Sequence, residues 1–143
     1  MKSETEIKAK LRYWDGRVDM LLRYHKSRVD VFLEELKEDR VSIDKVDADI
    51  ANARMTEAKV VEAAASARTL RWVLPETNEE VNMKSEAEIE AELWHWESRL
   101  HVLKAETKGL GSGVGVDIVT ELVKAEASVR TLRWVLGEIN EEG

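Results

Sequence analysis

Glu92 and His95 have the spacing of a metal-binding pair. Residues three positions apart on a helix share one face, so a carboxylate and an imidazole placed in this way can bind the same ion. A metal centre inside a helical bundle also needs a second such pair and further carboxylates that face inward. His25 has Leu22 three residues before it, so the second pair is missing. The sequence therefore predicts no metal site and no cofactor.

A group of acids further along the first half of the chain suggests a different chemistry. Glu34, Glu35 and Glu38 resemble the first acidic motif of the all-α nucleotide pyrophosphatases, which bind magnesium between helices. That resemblance implies a metal-dependent nucleotide hydrolase, but the family also needs a Glu-x-x-x-Asp motif on a neighbouring helix. The acids that follow, at other spacings, are Asp44, Asp47 and Asp49. We therefore interpret this segment as a solvated acidic hairpin end, predict no enzyme and no catalytic residues, and keep the hydrolase as an alternative.

Composition limits the class of protein and its partners. The chain has 143 residues, a net charge of −7, one proline and no cysteine, and it is rich in charged, helix-forming residues, which is typical of helical bundles. An acidic balance argues against general nucleic-acid binding, which relies on a basic surface. No long apolar run and no apolar N-terminal segment is present, so we expect no membrane partner and a cytoplasmic location. No small-molecule site is evident.

Two sequence stretches occur twice. Arg-Thr-Leu-Arg-Trp-Val-Leu is found at 68–74 and again at 130–136, and Met-Lys-Ser-Glu is found at 1–4 and again at 83–86. The chain is therefore predicted to contain two diverged copies of one helical hairpin. Because each copy looks like a whole reading frame, our hypothesis is that two related small proteins were joined by duplication or fusion. The alternative is an engineered scaffold without a biological role of its own.

Apolar residues at steps of three and four predict four helices, at about 4–37, 42–74, 85–108 and 116–140. The first two form a long hairpin within 1–80, and the last two form a short hairpin within 83–143. A linker is expected at 75–84, where Pro75 ends the second helix. The predicted fold class is all-α: two tandem antiparallel αα-hairpins packed as a four-helix bundle with coiled-coil-like seams.

The second helix of each hairpin carries two apolar stripes. Leu132 belongs to the main seam, whereas Trp134 lies about 200° away around the helix, on a stripe with Val123. The equivalent stripe in the first copy contains Val61 and Trp72. A single hairpin cannot bury both stripes. The two hairpins are therefore predicted to pack on each other around a pseudo-twofold axis, with the tryptophans in the contact.

The first hairpin is about 20 residues longer than the second, and the extra length falls between Leu22 and Glu57. This tip should protrude beyond the short hairpin. Its predicted interface residues are Phe32, Leu36, Ile43 and Val46. Because exposed apolar patches usually mark interfaces, we expect the tip to pair with another copy or with a helical partner.

Trp94 is the remaining interface candidate. It aligns with Arg12 of the first copy and lies outside the main seam. Exposed tryptophan is enriched at binding surfaces, so we expect Trp94 at a partner interface or packed against the other hairpin. These features together predict a non-enzymatic protein that acts by protein–protein association or oligomerisation.

Overall fold

The computed structural model describes residues 1–38, 42–75, 82–110 and 115–139. Within these ranges the chain is all-α, and its four helices are α1 (Glu4–Lys37), α2 (Ile43–Val73), α3 (Glu86–Leu110) and α4 (Val116–Leu136). α1 packs on α2, α2 on α4, and α4 on α3. The predicted all-α, four-helix bundle is therefore confirmed.

The first helix of each hairpin begins with a serine whose hydroxyl caps the helix. The N–H of Glu6 donates to Ser3 Oγ at 3.2 Å, and the N–H of Ser3 donates to the Glu6 carboxylate at 3.3 Å. Ser85 and Glu88 repeat the first of these bonds at 3.2 Å. The backbone N–H and the hydroxyl of Ser3 both donate to the Glu6 carboxylate, and this lowers the pKa of Glu6. The matching caps start α1 and α3 at equivalent positions of the two copies.

The second helices end in different ways. α2 ends at Val73, just before Pro75, which has no N–H to donate. α4 ends at Leu136 and not near residue 140, because Gly137 adopts φ +82°, a left-handed conformation that glycine enters without steric cost. The N–H groups of Gly137 and Glu138 donate to the last carbonyls of the helix at 3.0 and 2.9 Å, which closes the helix end.

Both ends of α1 and the start of α4 lie at the expected positions, and the ends of α2 and α3 lie within two residues of them. Most of the predicted linker at 75–84 falls on residues 76–81, which lie outside the described residues. Residues 39–41, 111–114 and 140–143 also lie outside the described residues.

Backbone contacts show how the two hairpins meet. The N–H of Lys2 donates to the carbonyl of Val135 at 2.7 Å, and the N–H of Lys84 donates to the carbonyl of Val73 at 2.9 Å. Each hairpin therefore begins against the end of the other hairpin's second helix. Within the long hairpin, α1 and α2 are antiparallel, as shown by the ion pairs Asp15–Arg71 and Glu35–Lys45. α1 and α3 thus begin, and α2 and α4 end, at one end of the bundle, which we call the base.

The core lies at the base, and equivalent residues of the two copies build it. The pairs of large, fully buried apolar residues are Ile7 and Ile89, Leu70 and Leu132, and Val73 and Val135. Buried small side chains let α2 and α4 approach closely: Ala63, Ala65, Ser66 and Ala67 on α2, and Ala125, Ala127 and Ser128 on α4. The Thr69 hydroxyl donates to the Ala65 carbonyl at 2.8 Å, and its oxygen lies 3.4 Å from Ser128 Oγ across this contact.

We expect Ala127→Leu to lower the free energy of unfolding by about 1–3 kcal/mol, because added methyl groups in a filled core force side chains and backbone to shift. Chemical denaturation followed by circular dichroism measures the change. Ala91→Leu is the matched control, since Ala91 is exposed on α3. An Ala127→Leu variant as stable as the control would show that α2 and α4 are not closely packed.

Candidate interaction surface

Both repeated tryptophans lie within the contact between hairpins. Trp134 is only 6% exposed, and the ammonium groups of Lys2 and Lys10 each lie 5.4 Å from the centroid of its ring. Its counterpart Trp72 is half-buried, with the Lys84 ammonium 5.5 Å from its ring centroid. A cation over an aromatic face is an attractive contact that strengthens as water is removed. Each tryptophan is thus contacted by a lysine of the other hairpin.

One polar contact breaks the symmetry between the hairpins. Arg130 donates to Glu62 at 2.7 Å, from the short hairpin to the long one. The counterparts of these residues are Arg68 and Lys124, which carry like charges, and Lys124 pairs instead with Glu121 of its own helix at 3.4 Å. Pairing between two short hairpins would set like charges against each other at this position. The charges at this position therefore disfavour contact between two short hairpins.

Val61 and Val123 lie near this contact, on the side away from the base, and are half-buried. They line a groove of about 500 Å³ with α2 as its floor and with α1 and α4 as its two sides. The α1 side includes Leu22 and His25, and the α4 side includes Val119. Because α4 begins at Val116, the groove marks the level at which the short hairpin stops covering the long one.

A second cavity, of about 110 Å³, continues from the groove into the tip. Its lining comes from α1 and α2 alone and includes Val29, Phe32 and Ile50. His25 lines both spaces, and its Nε2 lies 3.9 Å from the Glu57 carboxylate. The two spaces therefore adjoin at His25, with apolar side chains in the lining of each.

Beyond the groove, apolar side chains remain exposed on the tip, Tyr24, Val31 and Leu33 among them. Five others are spaced seven residues apart within their helix, three on α1 and two on α2: Leu22, Val29, Leu36, Ile43 and Ile50. Seven residues are two helical turns, so each set lies on one stripe. Ile43 is 81% exposed and Leu36 is 47% exposed. We call these five side chains and the groove together the open face.

The remaining predicted interface residues lie elsewhere. Phe32 and Val46 are half-buried on the tip, so they are less accessible than Leu36 and Ile43. Trp94 is 73% exposed on α3, which contributes no residue to the open face, and it does not pack against the other hairpin.

The residues considered for metal chemistry make other contacts. Glu92 accepts a hydrogen bond from Trp96 Nε1 at 3.1 Å, and the His95 ring lies edge-on to the Trp96 ring. Three acids of the described tip are ion-paired: Glu34 with Lys37, Glu35 with Lys45, and Asp49 with Arg28 and Lys45. In the described ranges, no three histidine, aspartate or glutamate side chains come together as a metal site.

Comparisons with family models, with curated proteins and with solved structures gave no match to this chain. Among the described helices, none combines the length and the apolar character needed to cross a membrane. The geometry of the open face is therefore the main basis for a functional proposal.

Sequence patterns could have pointed to some contacts that were missed. Lys2 and Lys84 occupy the same place in the repeated Met-Lys-Ser-Glu stretch, and the tryptophans of the other repeated stretch also need a partner. No sequence pattern indicated the groove, because its α4 side depends on how far the short hairpin extends along α2.

We expect Trp134→Ala to lower the free energy of unfolding by about 3–5 kcal/mol, because it leaves a large cavity in the base. Trp94→Ala is the matched control, and its exposed position predicts a change within about 0.5 kcal/mol. Chemical denaturation of the two variants measures both changes in the free energy of unfolding. Equal losses would contradict the burial difference between the two indoles.

Proposed function

We propose that this chain is a non-enzymatic association protein that binds a second copy of itself through the open face. The observation that carries the proposal is an apolar surface that extends over both the groove and the tip. This surface is partly covered by α4 at the groove and continues, uncovered, to Leu36 and Ile43. Contiguous apolar surface of this kind is rare on monomeric proteins and usually marks an interface.

The expected binding energy suits a reversible contact. Complete burial of a Leu, Ile or Val side chain contributes about 1.5–3 kcal/mol. For side chains that are already partly buried, the remainder is about 1 kcal/mol each, or about 10 kcal/mol for the ten in two open faces. Association costs about 4–15 kcal/mol in lost freedom of motion. The two terms are similar, so we expect a dimer that depends on protein concentration.

The open face is complementary to itself in shape. One end presents the protruding side chain of Ile43, and the other end is the groove. In a twofold contact the same patch is used by both partners, so a protrusion and a groove on one patch can fill each other. This complementarity favours a second copy over an unrelated helical partner.

The contacts at the base support a proposal about origin. The pair Lys2–Val135 and the pair Lys84–Val73 are the same hydrogen bond made twice, in opposite directions between the hairpins. Such reciprocity is typical of a twofold dimer. We propose that the chain arose by joining two copies of a hairpin that once dimerised through this contact.

We expect the wild-type protein to show a concentration-dependent dimer in analytical ultracentrifugation. Leu36→Asp and Ile43→Asp should shift it to monomer, because each places a charge where the contact removes water. Helix content measured by circular dichroism should stay unchanged, since both side chains are exposed in the monomer.

Val102→Asp is the matched control. Val102 on α3 is 46% exposed, close to the value for Leu36, but it lies outside the open face. The control should dimerise like the wild type. A wild-type chain that stays monomeric at millimolar concentration, or tip variants that dimerise as well as the control, would show that the proposal is wrong.

A further inference from the structure

We infer that two copies meet antiparallel, about a twofold axis near Ile50, so that the Leu36–Ile43 end of each copy fills the groove of the other. This inference rests on the self-association proposed above and adds its direction and its register. The partner is a second copy of this chain, and the contact is the open face on both sides.

The spacing of the apolar side chains places the axis. On α1, Val29 lies midway between Leu22 and Leu36. On α2, Ile50 lies midway between Ile43 and Glu57, which lines the groove. Val29 and Ile50 line the same cavity, so they lie at the same level of the tip. A twofold axis at that level pairs Leu36 of one copy with Leu22 of the other. The same axis places Ile43 of each copy in the groove of the other copy.

Charge is distributed unevenly along the tip. The half next to the groove carries the basic residues Arg23, Lys26, Arg28 and Arg54. One acid, Glu57, lies in the same half. The described distal half has the bases Lys37 and Lys45, which pair with acids of the same copy. It is still mainly acidic, with Asp30, Glu34, Glu35, Glu38, Asp44, Asp47 and Asp49. An antiparallel overlap sets the acidic half of each copy against the basic half of the other. A parallel overlap sets like charges at the same level, which disfavours binding.

Contact between Arg54 of one copy and Asp47 of the other depends on how the two copies are aligned in the dimer. Arg54 lines the groove, and Asp47 lies seven residues earlier, on the same stripe of α2. Ile50 lies between them, so a twofold axis near Ile50 brings Asp47 of each copy opposite Arg54 of the other. Within the described part of the chain, neither side chain has an ion-pair partner. Both charges are therefore available to the second copy.

The test is a charge exchange in the full-length chain, with the dimer dissociation constant measured by analytical ultracentrifugation. We expect Asp47→Arg alone and Arg54→Asp alone each to weaken self-association about tenfold or more, because each creates two like-charge contacts. The double variant D47R/R54D restores opposite charges at both contacts, and its dissociation constant should return to within about threefold of the wild type. An equimolar mixture of the two single variants should form a heterodimer.

Matched controls carry the same charge changes outside the open face. Glu90→Arg and Arg99→Asp alter exposed residues of α3 and should leave the dissociation constant within about twofold of the wild type. If the wild type dimerises and Ile43→Asp abolishes the dimer, but the double variant is no better than the single ones, the antiparallel register is wrong while self-association stands. A monomeric wild type would overturn both proposals.

The absence of cysteine allows a second, independent measurement of direction. In the antiparallel dimer Ile50→Cys should crosslink to itself between copies when treated with a short bifunctional thiol reagent. Ile43→Cys should crosslink poorly to itself but well to Ala58→Cys, which places a thiol in the groove. Efficient crosslinking of Ile43→Cys to itself, with none between Ile43→Cys and Ala58→Cys, would overturn the antiparallel arrangement.

Discussion

The close contact between α2 and α4 is the constraint on which the rest of the structure depends. Both helices present small buried side chains at the base, so their backbones approach each other, and α1 and α3 are left to pack on the outer sides. Each hairpin alone would leave one apolar stripe of its second helix in water. The contact removes that cost for both hairpins at once. The tryptophans and the lysines above their rings then close the edges of the same contact.

The unequal length of the hairpins has a direct consequence for the tip. Four helices shield a core at the base, whereas two helices shield a seam poorly. Where α4 begins, the number of helices around the seam falls, and the groove opens at that level. The exposed side chains Leu36 and Ile43 lie further out. The open face is therefore the surface that remains when one of two paired hairpins is shorter than the other.

The sequence was sufficient to predict the fold class because periodicity, caps and repeats all indicate helical hairpins. The steps of three and four residues depend only on helix geometry, and the capping boxes depend only on residues within one turn. The end of α4 was placed too late, because the apolar pattern continues to Ile139 while Gly137 turns the chain out of the helix. Backbone conformation at a single glycine outweighed the side-chain pattern at this position.

The candidate surface was less predictable, for a different physical reason. The stripe with Val61 and Trp72 is continuous in sequence, so both residues were expected in the contact between hairpins. Only the base of that stripe is covered, because α4 begins at Val116 and reaches only part of the way along α2. Trp72 therefore packs on the core, whereas Val61 lines the groove. Helical phase gives the direction of a side chain but not how far a neighbouring helix extends.

Apolar surface and charge have separate roles in this architecture. Apolar burial supplies most of the free energy of a helix contact, but it is nearly indifferent to which similar helix is buried. Charges discriminate, because a like-charge contact in a closed surface is costly. At the base, the buried residues of the two hairpins match, but their charges do not. Glu62 pairs with Arg130, whereas the equivalent positions carry the like charges of Arg68 and Lys124. The same reasoning applies to the tip, where apolar side chains alone would permit either direction of overlap and the uneven charge selects one.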